Sequence, residues 1–183
     1  MFGWQERAMS GFPSLQLRIQ LPGLLIYNGE PLVTANQPLP WNGACRCGQL
    51  RIRATESPIL TMACHCRGCQ RMSASAYSLT AMFPSSGFLV VEGEPVIGGL
   101  HGEHRHFFCS RCKSWMFTRP HGVDQFVNVR PTMLDDVSWF VPFIETFVSE
   151  KLPWATTPAR HSFEKFPAMT DYAGLLAEYA KHA

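Results

Sequence analysis

The sequence contains little charge and no block of charge of either sign. Aspartate, glutamate, lysine and arginine together make up 16% of its 183 residues, against about 25% in an average soluble domain. The formal net charge is only +2, and no stretch is rich in lysine or arginine. Binding to nucleic acid or to an anionic membrane through bulk electrostatics is therefore disfavoured.

Long apolar runs and an export signal are also missing. The most apolar stretch, residues 21–27, contains Pro22 and Gly23, whereas a membrane-spanning helix needs about 20 apolar residues. Glu6 lies near the start, and no small-residue cleavage site follows an apolar region. We therefore expect a cytoplasmic protein without a membrane partner, in a reducing compartment where closely spaced cysteines bind metals more often than they form disulfides.

The distribution of residues predicts one main domain with an extension at each end. Residues 1–41 have no cysteine and are rich in proline. Alternating apolar and polar residues at 15–21 predict a strand in an N-terminal extension otherwise made of loops. The main domain is predicted over residues 42–155. A C-terminal tail, residues 156–183, is expected to carry a short helix.

Within the main domain, short alternating segments separated by glycine and proline turns predict an all-β, mainly antiparallel fold. The predicted strands cover residues 49–53, 77–83, 88–91, 105–108, 114–118, 125–129 and 145–148. Two helical pieces are expected. One is a turn around Asp135 and Asp136, and the other is the C-terminal helix, which Thr170 or Asp171 would cap.

Seven cysteines fall in three tight clusters, which is the least random feature of the sequence. The clusters are Cys45 and Cys47, then Cys64, Cys66 and Cys69, then Cys109 and Cys112. An odd number leaves one thiol over from any complete disulfide framework. Four thiolates close a tetrahedral zinc site, whereas three leave one coordination position open.

The first and third clusters together predict a structural zinc site. A C-x-C pair at the entrance to a strand can point both sulfurs the same way, because side chains alternate between the two faces. A C-x-x-C turn is a common zinc knuckle. We therefore expect Cys45, Cys47, Cys109 and Cys112 to hold one Zn²⁺ that contributes to folding.

The second cluster predicts a zinc site that admits a substrate. Gly68 permits a tight turn that would bring the sulfur of Cys69 to those of Cys64 and Cys66. Three thiolates on Zn²⁺ carry a net charge of −1 and leave room for an incoming thiol, which would be held as thiolate. Such a thiolate beside an electrophilic carbon can make or break a C–S bond, so these three cysteines are the candidate catalytic residues.

Two other interpretations of the second cluster stay open. A fourth ligand from the chain would close the site and make it structural; the candidates are His65, His101, His104 and His106. His65 is disfavoured because it points away from its neighbours if the segment is extended. Alternatively, the cluster binds no metal and contains a reactive or disulfide-switching pair.

Several further residues have both a functional and a plain interpretation. His104 and His106 share one face of a predicted strand and contact a substrate or face solvent. Arg67 and Arg71 flank the second cluster and hold a substrate carboxylate or lie in solvent. Four tryptophans are expected in the core or at its edge: Trp41, Trp115, Trp139 and Trp154.

The motifs resemble those of the glutathione-dependent formaldehyde-activating enzyme family, which includes centromere protein V-like domains. The resemblance spans residues 42–155. The matching motifs are G-x-C-x-C-G at residues 43–48, C-H-C-x-x-C at 64–69, F-C-x-x-C at 108–112, a strand and L-D-D turn at 127–129 and 134–136, and S-x-x-x-P-W at 149–154.

The resemblance implies a zinc-binding β-tent of coiled sheets, with a structural zinc at the first and third clusters and a catalytic zinc at the second. It also implies an activity: joining glutathione to formaldehyde as S-hydroxymethylglutathione, which in the reverse sense is a carbon–sulfur lyase reaction. Two features depart from the family. Lys113 follows the last cysteine where the family has glycine, which alters the knuckle if a positive φ is needed there, and the N-terminal extension lies outside the family domain.

Two hypotheses follow for function. The first is a zinc-dependent, carbon–sulfur lyase-like enzyme that adds a small-molecule thiol such as glutathione to a small aldehyde such as formaldehyde, or reverses that step. The second is a zinc-stapled binding module without turnover, which the lack of an obvious general acid favours. A third is a redox sensor that releases zinc on oxidation. The sequence does not fix the oligomeric state.

Overall fold

The structure is a computed structural model that describes residues 38–99 and 104–182 in full. For residues 25–27 and 30–32 it describes the backbone alone. The strand expected at residues 15–21 and the candidate ligand His101 lie outside the described residues.

Most of the secondary-structure elements in the described residues are short strands. The strands are β1 Leu25–Tyr27, β2 Glu30–Leu32, β3 Trp41–Ala44, β4 Arg51–Ala54, β5 Leu60–Cys64, β6 Ser78–Pro84, β7 Phe88–Glu92, β8 Pro95–Gly98, β9 Arg105–Cys109, β10 Trp115–Arg119, β11 Phe126–Val129, β12 Ile144–Thr146 and β13 His161–Phe163. The α-helices are α1 Arg67–Ser73 and α2 Tyr172–Tyr179, and single 3₁₀ turns cover Ser85–Gly87, Pro131–Met133 and Val148–Glu150.

Most strands belong to two sheets. The larger has eight strands in the order β13-β12-β5-β6-β11-β10-β9-β8, the smaller has three in the order β3-β4-β7, and β1 pairs with β2. All pairs are antiparallel except those of β12, which runs parallel to both β5 and β13. The predicted all-β, mainly antiparallel fold is confirmed.

The main core lies between the three-stranded sheet and the middle of the eight-stranded sheet. Ile52 of β4 packs in one cluster with Phe83 of β6 and Val127 of β11, and all three side chains are fully buried. Burying each such side chain contributes about 1.5–3 kcal/mol. At Gly43, a β-carbon would lie 2.3 Å from the carbonyl oxygen of Met133, so only glycine allows the two segments to approach this closely.

The predicted C-terminal helix is present, and a second core forms under it. Leu175 and Tyr179 of α2 are buried against Leu60 of β5 and Ile144 of β12. Asp171, one of the two predicted capping residues, occupies the N-cap position. Its side chain makes no cap bond to the helix, and its carboxylate instead accepts a hydrogen bond from the backbone N–H of Ala168.

Several elements differ from the prediction. Strand β5 has no polar alternation because all of its residues are buried, and such strands are easily missed. The helical turn expected around Asp135 and Asp136 ends two residues earlier, at Met133. Strand β13 lies in the predicted C-terminal tail and extends the eight-stranded sheet; the domain boundary at residue 155 stays a prediction.

Candidate metal centres and the adjoining cavity

The first and third cysteine clusters meet in space. The sulfur atoms of Cys45, Cys47, Cys109 and Cys112 all lie within 4.8 Å of one another. Cys47 Sγ is 3.4 Å from Cys45 Sγ and 3.8 Å from Cys109 Sγ. Zn–S bonds of about 2.3 Å in a tetrahedron place sulfurs about 3.8 Å apart, so these four cysteines could hold a metal ion and fit zinc.

Loops, rather than a strand, position the C-x-C pair. Cys45 and Cys47 lie in the turn that joins β3 to β4. The expectation that the alternation of a strand points both sulfurs the same way is therefore wrong. The backbone reverses at Gly48, whose φ is +74°, and the backbone N–H of Leu50 donates to Cys45 Sγ at 3.3 Å. The turn thereby points both sulfurs toward the β9–β10 connection.

The second half of this site is the knuckle between β9 and β10. Lys113, which follows Cys112, has φ +58°, a region that costs a residue with a side chain about 1 kcal/mol or more. Its N–H donates to the carbonyl of Cys109 at 3.1 Å, and its Nζ donates to the carbonyl of Ser110 at 2.8 Å. The knuckle therefore does require a positive φ, and a lysine adopts it here.

The four thiols do not share one proton affinity. The hydroxyl of Ser114, 3.3 Å from Cys112 Sγ, lowers the pKa of that thiol to about 5. The backbone N–H of Gln49 favours the thiolate of Cys47, but burial and the neighbouring sulfurs outweigh it and raise the pKa of Cys47 to about 11. Four thiolates together would repel one another, and a bound cation removes that conflict.

The second cluster is local to the junction of β5 and α1. Cys64 ends β5, Cys66 precedes α1, and Cys69 lies in its first turn; their sulfurs are within 4.8 Å of one another. The backbone N–H of Cys69 donates to Cys66 Sγ at 3.3 Å, so a cysteine caps this helix. The expected role of Gly68 is wrong, because Gly68 is an ordinary helical residue and the start of a helix brings Cys69 in.

In this cluster, too, the neighbouring sulfurs make it unfavourable for all the thiols to be ionised at once. The pKa of Cys64 is raised, chiefly through Cys66, and the pKa of Cys69 is raised through its contacts with Cys64 and Cys66 and by burial. All three residues are buried. A cation among the sulfurs would offset this repulsion, so the donor set fits a soft metal ion such as zinc.

Within residues 38–99 and 104–182, no fourth donor joins the three sulfurs. His65 Nε2 donates to the carboxylate of Glu145 at 3.0 Å. His106 is buried on β9, with Nδ1 2.8 Å from Thr118 Oγ1. His104 is exposed and accepts from the N–H of His121 at 3.1 Å. Of the two interpretations of this pair, exposure to solvent fits His104 and is wrong for His106.

A buried carboxylate network lies behind the second cluster. Glu145 of β12 accepts hydrogen bonds from His65, Lys151, Thr157 and Ser162, at 2.7–3.0 Å. Burial alone would raise the pKa of Glu145, but these bonds outweigh it and lower the pKa to about 2. The network fixes His65 between two of the cysteines.

A cavity of about 370 Å³ lies on the far side of residues that pack against the second cluster, and none of the three cysteines is among its described lining residues. Its volume is within the usual range for small-molecule sites. Its lining includes Tyr77, Ser78, Phe108, Lys113, Trp115 and Arg130. Trp115 and Phe108 also pack against the three cysteines. Among the described residues that line the cavity, none is an aspartate or a glutamate, whereas Lys113 and Arg130 are cationic. The cavity therefore favours a ligand with negative charge.

Sequence reasoning missed Arg130, which follows strand β11. Its guanidinium carbon lies 4.1 Å from the centre of the Trp115 ring, and only 7% of the residue is exposed. Burial lowers the pKa of Arg130 to about 10, partly offset by the nearby charges of Cys69 and Cys64. One sequence signal pointed to it: a lone arginine between an apolar strand and Pro131.

Arg67 and Arg71 flank the second cluster on the exposed surface and do not line the cavity. The guanidinium of Arg67 donates to Gln70 at 3.1 Å, and its backbone N–H donates to Glu150 at 2.6 Å. Of the tryptophans, Trp41, Trp115 and Trp139 are buried as expected, but Trp154 is 73% exposed, so its prediction is wrong.

The fold and the two groups of converging cysteines define a class: all-β proteins with two sites that could bind metal ions. The family model described as glutathione-dependent formaldehyde-activating enzyme matches residues 40–150. This is more than half of the chain, and the chain belongs to that family.

Two further comparisons are less informative. A search of curated proteins found no match. A crystal structure of a Rhodobacter sphaeroides protein is 20% identical, covers 53% of this chain and 90% of its own, and superimposes with a TM-score of 0.45, too low to support an argument. In the described part of the chain, no helix has the length and apolar character to span a membrane.

Proposed function

We propose that the protein is a zinc-dependent, carbon–sulfur lyase-like enzyme that adds a thiol such as glutathione to a small aldehyde such as formaldehyde, or reverses that addition. The observation that carries the proposal is the second cluster: its three sulfurs converge without a fourth donor among the described residues, and two aromatic residues that pack against them also line a cavity. Membership of the family supports the choice of substrates.

In this proposal the three cysteines Cys64, Cys66 and Cys69 hold a catalytic zinc, and Cys45, Cys47, Cys109 and Cys112 hold a structural one. A zinc ion at the three-cysteine site would leave one position for the substrate sulfur and favour its thiolate form. The N–H of Cys69 fixes the sulfur of Cys66, while Phe108 and Trp115 form apolar walls that limit water at the reacting carbon.

The reaction itself requires no oxidant or reductant. The thiolate sulfur donates an electron pair to the aldehyde carbon, the C–S bond forms, and the C=O π pair moves to oxygen. The proton lost by the thiol returns to that oxygen through solvent, so the product is a neutral hemithioacetal. We further propose that this occurs in the cytoplasm, where reduced thiols are abundant and cysteines stay free.

Paired serine variants test this proposal. We expect wild-type protein to bind two zinc ions per chain and to consume formaldehyde in the presence of glutathione. Cys66→Ser should lose the activity and bind less zinc while keeping its circular dichroism spectrum, because its site is local. Cys45→Ser should unfold, because its site connects two sheets.

Two results would contradict the proposal. If Cys66→Ser unfolds as completely as Cys45→Ser, the second cluster is structural. If the fully zinc-loaded protein neither binds glutathione nor turns over any thiol and aldehyde, the binding-module hypothesis replaces it.

A further inference from the structure

Among the described residues, one buried nitrogen in the lining of the cavity has no hydrogen-bond partner. It is Nε of Arg130. Ser78 also lines the cavity, and its hydroxyl forms a hydrogen bond with the thiol of Cys69. The large majority of buried side-chain polar atoms in native proteins have a partner. The unpaired nitrogen therefore points to a ligand with an oxygen that accepts from Arg130 and lies near the hydroxyl of Ser78.

The charge of Arg130 strengthens this argument. Among the described residues, no carboxylate lies within ion-pair distance of Arg130, and its other hydrogen bond, from NH2 to the carbonyl of Asn128, is long at 3.5 Å. The nearby charges of Cys69 and Cys64 offset only part of the cost of burying this cation. The cation–π contact with Trp115 offsets part of that cost, and an anionic ligand would offset more.

Both residues are close to the three sulfurs. Ser78 of β6 pairs directly with Cys64 in the ladder between β5 and β6. Trp115, on which Arg130 stacks, packs against Cys64, Cys66 and Cys69. A ligand oxygen held by Ser78 and Arg130 would therefore lie beside a carbon that a sulfur ligand in the cavity attacks.

The orientation of Arg130 is fixed by a chain of contacts. Trp115 Nε1 donates to Thr118 Oγ1 at 3.2 Å, and Thr118 Oγ1 is 2.8 Å from His106 Nδ1. This chain sets the plane of the indole ring, and the ring sets the position of the guanidinium. His106, which the sequence offered as a candidate ligand or substrate contact, instead positions Trp115.

We propose that Arg130, assisted by Ser78, binds the aldehyde oxygen and stabilises the alkoxide that develops on it as the C–S bond forms. This role rests on the proposed function, whereas anion binding by Arg130 does not. Arg130 keeps its proton throughout and acts by charge and hydrogen bonding. It thereby stabilises the developing alkoxide without a general acid, which the sequence does not offer. Loss of one such donor typically lowers kcat by about 10²–10³-fold.

Formate, an anion of the size and shape of the reacting group, is the binding probe. We would titrate formate into zinc-loaded, full-length protein by isothermal calorimetry, with Arg130→Gln and Ser78→Ala as test variants. Arg105→Gln is the matched control, since its guanidinium is exposed and 3.9 Å from Asp124. Loss of a charged hydrogen bond predicts about 10-fold or greater weakening in Arg130→Gln, and loss of a neutral one predicts about 2–10-fold weakening in Ser78→Ala.

Steady-state kinetics then test the catalytic role. Arg130→Gln should lower kcat by about 10²-fold or more while its zinc content and the KM for glutathione stay near wild type. Arg130→Lys should restore part of kcat, because it returns the charge without the planar fork.

The outcomes separate this inference from the proposed function. Formate binding that is equal in wild type and both test variants overturns the inference, even if turnover is normal. Loss of zinc and of thiol affinity in parallel with kcat also overturns it, because Arg130 would then only balance the charge of the sulfurs. A wild type that binds formate through Arg130 but turns over no aldehyde refutes the proposed function alone. If Arg130→Gln fails to fold, formate binding by Ser78→Ala decides between these outcomes.

Discussion

Replacing Glu145 by glutamine removes one buried negative charge and leaves a side chain of the same shape. The carboxylate accepts from four side chains: His65, Lys151, Thr157 and Ser162. Glutamine has only one acceptor oxygen, and its NH₂ group would face donors. We expect Glu145→Gln to fold but to be less stable.

The magnitude follows from the carboxylate's pKa. The pKa falls from an ordinary value of 4.5 to about 2 in the folded protein, which corresponds to about 3 kcal/mol of folding free energy at neutral pH. Because the folded pKa is the lower one, this contribution is present above pH 4.5 and is lost as the pH falls toward 2.

Equilibrium urea unfolding at matched free zinc measures the effect. The difference in unfolding free energy between wild type and Glu145→Gln should be about 3 kcal/mol at pH 7 and should roughly halve by pH 3. Acid also releases zinc from cysteines, but this affects both proteins equally and cancels in the difference. Glu178→Gln is the control, because its contact with His161 is about a third exposed and should cost less than about 1 kcal/mol.

A difference below 1 kcal/mol at pH 7, as in the control, would refute the reasoning. So would a difference that stays constant between pH 5 and pH 3, because the lost interactions would then not depend on the charge of Glu145.

Two further predictions concern backbone positions. Gly43→Ala should lower the unfolding free energy by about 1–3 kcal/mol, because its β-carbon would meet the carbonyl of Met133. Gly174→Ala, in α2 with open space around it, should raise the unfolding free energy by up to about 1 kcal/mol. Thermal melts in which both variants shift the melting temperature in the same direction would contradict this. Lys113→Gly should relieve the positive φ of the knuckle and raise the melting temperature of the zinc-loaded protein, corresponding to about 1 kcal/mol; a lower melting temperature would mean that the Lys113 bond to Ser110 outweighs the strain.

The β character of the fold could be predicted because most strands in the main domain are half-buried. In β4, burial alternates along the strand, so the sequence alternates too. The exceptions are informative. Strand β5 is buried throughout, its polar Thr61 included, so its sequence shows no alternation. Strand β13 has only three residues, and its pairing with β12 is decided by distant contacts.

The cysteine clusters could be predicted because metal ligands follow short, recognisable spacings. What surrounds them could not. Arg130 lies more than sixty residues from Cys64 in sequence, and it reaches the cavity only because β11 pairs with β6, which pairs with β5. Similarly, nothing local in the sequence indicates that Glu145 would contact His65, since the parallel pairing of β12 with β5 brings them together.

The two candidate metal sites, the four-cysteine site and the second cluster, also differ in what an ion could do for the fold. An ion at the first site would close the long loop between Cys45 and Cys112, whereas an ion at the second would close only the short one between Cys64 and Cys69. Loop-closure entropy grows with loop length, and for these lengths the difference is about 2 kcal/mol in favour of the longer loop. The second cluster is also held by β5, by the capped start of α1 and by the Glu145 network without any ion. A site that adds so little to folding, yet gathers three buried thiols beside a cationic cavity, is better explained by ligand chemistry than by stability.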